Sequence, residues 1–352
     1  MNTIILEAKN REALTKEYFK EAGKIIRAGG LVAFPTETVY GLGGDALNPE
    51  SSKKIYSAKG RPSDNPLIVH IADMDGLYEV AEEIGENALR LAEAYWPGPM
   101  TLVLKKKAIV PDETTGGLST VAVRMPSDPA ALRFIEACGV PVAGPSANTS
   151  GRPSPTSAQH VIEDLDGRIE MIIDAGNTEI GLESTIIDVT GDIPVLLRPG
   201  AITLDMIKAA AGGVEIDPAI LGPVSPDIRP KAPGMKYRHY APKAAMTIYA
   251  GENAAVAAEI NRQAAAAVSA GKKAGVLATA ENADKYNCGD VRIIGSQHDQ
   301  EQIAHNLFSV LRDFDADGVD VIFSESFGKD GIGAAIMNRL SKAAGYNIVE
   351  VG

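Results

Sequence analysis

Between residues 31 and 200, short runs of aliphatic and β-branched residues alternate with longer stretches whose apolar positions recur at helical spacing. The short runs predict strands at Leu31 to Phe34, Leu67 to Ile71, Thr101 to Leu104, Val121 to Arg124, Val140 to Ala143, Met171 to Asp174, Ser184 to Val189 and Pro194 to Arg198. Strands that alternate with helices imply an α/β layer structure. Proline and glycine gather at the strand ends, in Phe34-Pro35-Thr36, Gly60-Arg61-Pro62, Trp96-Pro97-Gly98-Pro99 and Gly144-Pro145-Ser146, and enforce turns there. Such turns are where sites are usually built.

The pattern breaks between Gly212 and Lys243, where Pro218, Pro223, Pro226, Pro230, Pro233 and Pro242 allow neither helix nor sheet to continue. This segment reads as an ordered linker. Beyond it, strands at Met246 to Ala250, Ala274 to Leu277, Val291 to Ile294 and Val319 to Phe323 alternate with helices near 254–270, 300–314 and 333–344. The expected organisation is a first domain over 1–211, a linker over 212–243 and a smaller three-layer α/β domain over 244–352.

A length of 352 residues with 45% hydrophobic content supports two cores. No uninterrupted apolar run reaches about 18 residues, and Met1 to Asn10 lacks the regions of a signal peptide, so a cytoplasmic protein without membrane attachment is expected. Cys138 and Cys288 are too far apart in sequence for a zinc-ligand pair or a disulfide framework, and both are expected reduced and buried. A net charge of −12 argues against a uniformly basic surface that coats nucleic acid; any tRNA contact would be weak and local.

For chemistry, the chain has no Gly-x-x-x-x-Gly-Lys-Ser/Thr loop, and Gly41, Gly43 and Gly44 lack the third glycine of a dinucleotide fingerprint. Lys59-Gly60-Arg61-Pro62 is more telling, because two cations flanking a glycine can project from one turn toward one anion. Polar turns recur at comparable positions: Thr36 to Thr38, Ser146-Ala147-Asn148, Ser150-Gly151-Arg152-Pro153-Ser154, Glu183-Ser184-Thr185 and Arg198-Pro199-Gly200. Together they offer the donors that phosphates and a carboxylate need. The second domain shows no comparable cluster; Asn338-Arg339-Leu340 and Ser341 to Ala344 read as an amphipathic helix with solvated charges.

The runs Pro35 to Leu42, Lys59 to Pro62 with Asn65-Pro66-Leu67, Trp96 to Thr101, Pro145 to Asn148, Ser150 to Thr156 and Glu183 to Thr185 resemble the YrdC-like threonylcarbamoyl-AMP synthases. Pro233-Gly234-Met235-Lys236-Tyr237-Arg238-His239-Tyr240-Ala241-Pro242 resembles the linker of that family's long form. Two positions depart from it: Ala232, where a serine often precedes Pro-Gly, and Asp128, where a histidine often follows Arg124-x-Pro126. The resemblance implies a twisted open-sheet catalytic domain with a central cavity, followed by a Rossmann-like three-layer domain that positions or covers it.

It also implies a nucleotidyltransferase: L-threonine, bicarbonate and ATP give threonylcarbamoyl-adenylate and pyrophosphate, the first step toward threonylcarbamoyladenosine in tRNA, with Mg²⁺ accompanying ATP. A downstream threonylcarbamoyl transferase would receive the adenylate. Position by position, similarity puts Arg61, Asn65, Thr120, Ser146, Ser154 and Arg198 on ATP, Lys59 and Asn148 with Arg61 and Ser146 in the reacting phosphate cradle, and Thr38, His70, Arg124 and Ser184 on L-threonine; a lid formed by the linker would add Tyr237, reaching ATP from outside the first domain. His70 fits a core histidine equally well. Metal ligands cannot be named from sequence. Residues 236–240 pack two tyrosines among basic groups, which suits a lid over the cavity or an anchor for the second domain. Two rival readings are a non-catalytic module binding double-stranded RNA or tRNA, and a carbamoyl-transfer subdomain like that of hydrogenase maturation factors, whose paired-cysteine zinc segments are missing here.

Overall fold

The structure is a computed structural model that describes residues 2–220, 222, 230–233 and 239–352. Its contacts divide into two units, one of 1–150 with 154–236 and the other of 151–153 with 237–352.

The first unit is built on strands β1 (Ile4–Glu7), β2 (Val32–Phe34), β3 (Gly41–Asp45), β4 (Ile68–His70), β5 (Ala81–Glu82) and β6 (Met100–Lys106). It continues with β7 (Thr120–Arg124), β8 (Val142–Ala143), β9 (Met171–Asp174), β10 (Thr185–Asp188), β11 (Val195–Arg198) and β12 (Glu215–Ile216). They form one mixed twisted sheet in the order β1-β9-β2-β3-β8-β4-β7-β6-β10-β11-β12, with β5 beside β6. Period-2 alternation sends neighbouring side chains to opposite faces. Thus Ala33 joins the core that holds Leu42, Ile55, Leu91 and Val161, while Val32 and Phe34 join the one that holds Ile26 and Phe134.

All eight strands expected in this part of the chain are present, and β1, β3, β5 and β12 are additional. β3 carries the glycines set aside as a fingerprint. It is buried between β2 and β8, and a Cβ on Gly43 would lie 2.9 Å from the Val32 carbonyl oxygen. Gly43 serves close strand approach, while Gly41 and Gly44 leave room for the Phe34 ring and for the Ile55 and Leu31 side chains.

The second unit holds β13 (Ala245–Gly251), β14 (Ala274–Thr279), β15 (Asp290–Gly295), β16 (Val321–Glu325) and β17 (Ile348–Val351), all parallel, in the order β15-β14-β16-β13-β17. Val276 packs in the cluster of helix Asn253–Ser269, whereas Gly275 points the other way and leaves room for the Phe314 ring of helix Gln300–Ala316. Helices on both faces give the three-layer arrangement. A polar cleft of about 250 Å³, lined by Asn253, Thr279, His298, Gln300, Glu325 and others but by no lysine or arginine, opens at the carboxyl ends of β14 and β16.

Two expectations need correction here. On helix Gly333–Ala343 the charges are buried, not solvated: Arg339 is 0% exposed, its Nη1 donates to Asn338 Oδ1 at 3.0 Å, and its guanidinium lies 5.6 Å from the Tyr240 ring, which stacks on Phe308. An aromatic face and an amide accept a guanidinium that water would otherwise hold. Cys138 is buried as expected, but Cys288 is only half-buried, packed at the margin of the Val276 cluster.

Candidate functional site

Helix Pro49–Lys59 delivers the two cations. Asn48 Oδ1 caps it by accepting from Glu50 N at 3.0 Å, and Pro49 occupies the first turn, where an N–H has no helical partner. Gly60 ends the helix at φ +62°, so Lys59 and Arg61 leave the turn on either side of a residue without a side chain. Lys59 is 1% exposed. Its Nζ donates to the carbonyl oxygens of Ser146 and Asn148, the latter at 2.5 Å, and Ser150 N donates back to Lys59 O at 2.8 Å. Ser146 Oγ donates to Asn148 Oδ1 at 2.6 Å. The lysine turn and the serine-asparagine turn are thus one polar unit.

Arg61 is folded back over its own turn, with Nε donating to Asn65 O at 3.2 Å and Nη2 to Pro66 O at 3.0 Å. Asn65 is buried, and among the described residues its Oδ1 accepts no hydrogen bond. A buried acceptor left open is costly unless a ligand donor fills it. Thr120 opens β7 at the end where Asn65 and Pro66 lead into the parallel strand β4.

The other end of this strand pair carries the second group. His70 and Arg124 are register partners. Arg124 Nη1 donates to Thr38 Oγ1 at 2.8 Å, and Nη2 lies 2.8 Å from Glu37 Oε1, with both side chains of that ion pair buried. His70 is buried edge-on against Phe34, ring centroids 5.5 Å apart. Burial first, and the charge of Arg124 next, push its pKa down to about 3, so the ring is neutral near pH 7. It has the packing of a core histidine and the position of a neighbour to Arg124 at once.

A third group lies at the β10–β11 pair. Arg198 Nε donates to Ser184 O at 3.0 Å and Nη2 to Ser184 Oγ at 3.2 Å, while Ser184 Oγ lies 2.8 Å from Thr101 Oγ1. One residue earlier, Glu183 Oε1 accepts from Ser154 Oγ at 2.5 Å. Gly200 permits this crossing, since a Cβ there would sit 2.4 Å from Thr185 N.

Lys59, Ser146 and Asn148 are therefore drawn together, as are Thr38 with Arg124, Ser184 with Arg198, and Arg61 with Asn65. His70 joins Arg124 by strand register instead of by a side-chain bond, whereas Thr120 pairs with Lys105 of β6. Tyr237, and with it the lid, lies outside the described residues. The departure at Asp128 has a local explanation: its Oδ1 caps helix Pro129–Cys138 through Ala131 N at 3.0 Å, and its carboxylate pairs with Arg11. Ala232 is fully buried against Ile68, Ile186 and Leu197. Sequence reasoning gave no role to Glu37 or Glu183, which lie against Arg124 and Ser154. A carboxylate flanked by threonines in Thr36-Glu37-Thr38 was the available signal, and only the structure shows that it is buried. Among the described residues no group of three or more histidine, cysteine, aspartate or glutamate side chains is placed to hold a metal, and no helix is long and apolar enough to cross a membrane.

Residues 24–200 match a family described as "Telomere recombination", the Sua5, YciO and YrdC group, and residues 202–345 match "Threonylcarbamoyl-AMP synthase, C-terminal domain". The threonylcarbamoyl-AMP synthase of Pyrococcus abyssi is 50% identical over 349 residues, covering 99% of this chain and 100% of the relative. That of Bacillus subtilis is 48% identical over 331 residues, 94% and 93% of the two chains. The crystal structure of P. abyssi Sua5 complexed with L-threonine superposes with a TM-score of 0.92 at 48% identity and covers 100% of both chains. The chain belongs to the threonylcarbamoyl-AMP synthase family, in its two-domain form.

Proposed function

We propose that this protein makes threonylcarbamoyl-AMP from L-threonine, bicarbonate and ATP, releasing pyrophosphate and water, and that the residues gathered in the first unit do so. The reading rests on one observation: Lys59, Arg61, Arg124 and Arg198 are all buried, in a single unit, around turns at strand ends. Cations are seldom buried without anionic business, and here the substrates bring a triphosphate, a carboxylate and bicarbonate. Fixed donors aimed at developing phosphoryl charge stabilise the transition state without reorganising.

In this reading Lys59, Arg61, Ser146 and Asn148 hold the reacting phosphates, with Asn65, Thr120, Ser154 and Arg198 along the nucleotide. Thr38, His70, Arg124 and Ser184 take L-threonine. The contact between Arg198 and Ser184 favours placing the α-phosphate beside the amino acid. There the carbamate formed from amine and bicarbonate attacks phosphorus and expels pyrophosphate. Neutral His70 serves as a hydrogen-bonding wall instead of a charge. Mg²⁺ belongs to the reading as a companion of the triphosphate, whose charge it would offset. We place the catalytic domain at 1–211 and the product's destination at a separate transferase.

Arg61→Ala tests the cradle. Loss of a charge-assisted contact worth about 1.5–3 kcal/mol should lower threonine-dependent pyrophosphate release ten- to more than a hundred-fold. Unchanged release from a folded variant would remove Arg61 from the site.

A further inference from the structure

One buried group near the site has no task in the reading above. Glu37 is 3% exposed, and neither Oε1 nor Oε2 accepts a hydrogen bond among the described residues. Its nearest charge is Arg124, with Nη2 at 2.8 Å from Oε1, an ion pair in distance that misses hydrogen-bond direction. A carboxylate has about four acceptor sites, and leaving them empty in a dry place is expensive even beside a cation. The backbone does hold the residue in place, because Ile180 N donates to Glu37 O and Gly181 N to Thr38 O. The charge of Glu37 is also felt by Asp128, whose carboxylate is paired with Arg11.

A cation and a carboxylate side by side, 2.8 Å apart, are the mirror of an α-amino acid, whose own carboxylate and ammonium sit on one carbon. Arg124 can take the first charge. Resting on the reading that Thr38 and Arg124 face L-threonine, we propose that Glu37 binds the α-ammonium group of that substrate, so that the buried pair is a receptor for a zwitterion. Selection for an amino acid over a hydroxy acid then comes from this carboxylate.

Binding measurements on the full chain test this, using Glu37→Gln, which keeps shape and removes charge. Three ligands are titrated: L-threonine; L-threoninamide, which keeps the ammonium and lacks the carboxylate; and 2,3-dihydroxybutanoate of matching configuration, which lacks the ammonium. ATP affinity and thermal midpoint report folding. Glu37→Gln should weaken L-threonine and L-threoninamide by similar factors, on the order of ten- to a hundred-fold. The dihydroxy acid, poor for the wild type, should bind the variant no worse. If Glu37 only positions Arg124, the variant will instead lose the two carboxylate ligands and bind L-threoninamide as before, which overturns the proposal. Unchanged L-threonine affinity in the variant overturns it too. Arg124→Ala separates the underlying reading: if that variant binds L-threonine normally, the assignment of the pocket fails first. If the variant loses L-threonine and keeps ATP, the pocket stands and the Glu37 results decide. Should Glu37→Gln not fold, Glu37→Asp keeps the charge and must retain the preference for L-threonine over the dihydroxy acid; losing it overturns the proposal.

Discussion

Burying the ammonium of Lys59 is expensive unless oxygens replace its water, and the chain supplies them as the backbone carbonyls of Ser146 and Asn148. Carbonyl partners hold the ammonium in position, which suits the phosphate-binding role proposed for it. His70 works in the opposite sense: burial and Arg124 keep it uncharged. Unfolded, a histidine takes up a proton below about pH 6.5, whereas the folded ring resists until about pH 3. In that window the unfolded chain binds the extra proton, so stability falls as pH drops, by up to about 1.4 kcal/mol per pH unit from this residue. We expect His70→Gln to flatten the pH dependence of urea unfolding between about pH 6 and pH 4 relative to the wild type; identical slopes would mean that the folded ring titrates normally. The sequence left His70 open between core and site because residue type and strand position serve both roles equally. Glu37, the ion-pair partner of Arg124, was passed over because a carboxylate in a threonine-rich turn looks like a cap until burial is known.

Among elements, most strands with apolar runs were legible, though β1 (Ile-Ile-Leu-Glu) and β17 (Ile-Val-Glu-Val) carry such runs and were not expected. β2, β4, β6, β7 and β9 to β11 announce themselves through valine, isoleucine and leucine, as do β13 to β16. β3 is Gly-Leu-Gly-Gly-Asp, which no propensity assigns to a strand; it exists because β2 and β8 need a thin partner between them. Gly43→Ala tests this. Its Cβ would meet the Val32 carbonyl at 2.9 Å and Val142 Cγ1 at 3.0 Å, so overpacking should cost about 1–3 kcal/mol and lower the urea midpoint. An unshifted midpoint would show that the strand has slack. Helix Gly333–Ala343 failed for a different reason: its polar spacing is real, but Asn338, Arg339 and Lys342 lie buried, and a periodic pattern cannot tell water from a polar or aromatic partner.

For the whole molecule, the change of pattern near Gly212 and the proline-rich stretch after it marked two bodies, and the contacts also separate two units. What the sequence could not show is that Gly151 to Pro153 keep company with the second unit, where Arg312 Nη2 donates to Pro153 O at 2.7 Å. Contacts across 159 residues of chain leave no local trace. A net charge of −12 makes a further demand. Affinity for RNA at about 50 mM salt should be weak and nearly insensitive to added salt, as gel shift would show; tight binding that collapses steeply with salt would favour the RNA-binding reading. The central claim is the chemistry itself, and one measurement reaches it. The full chain is incubated with ATP, bicarbonate and L-threonine, and the mixture is analysed promptly by mass spectrometry with pyrophosphate followed in parallel. Threonylcarbamoyl-AMP and pyrophosphate should appear together, and only when L-threonine and bicarbonate are both present. Pyrophosphate released without L-threonine, or no adenylate from protein that binds both ATP and L-threonine, would contradict the account.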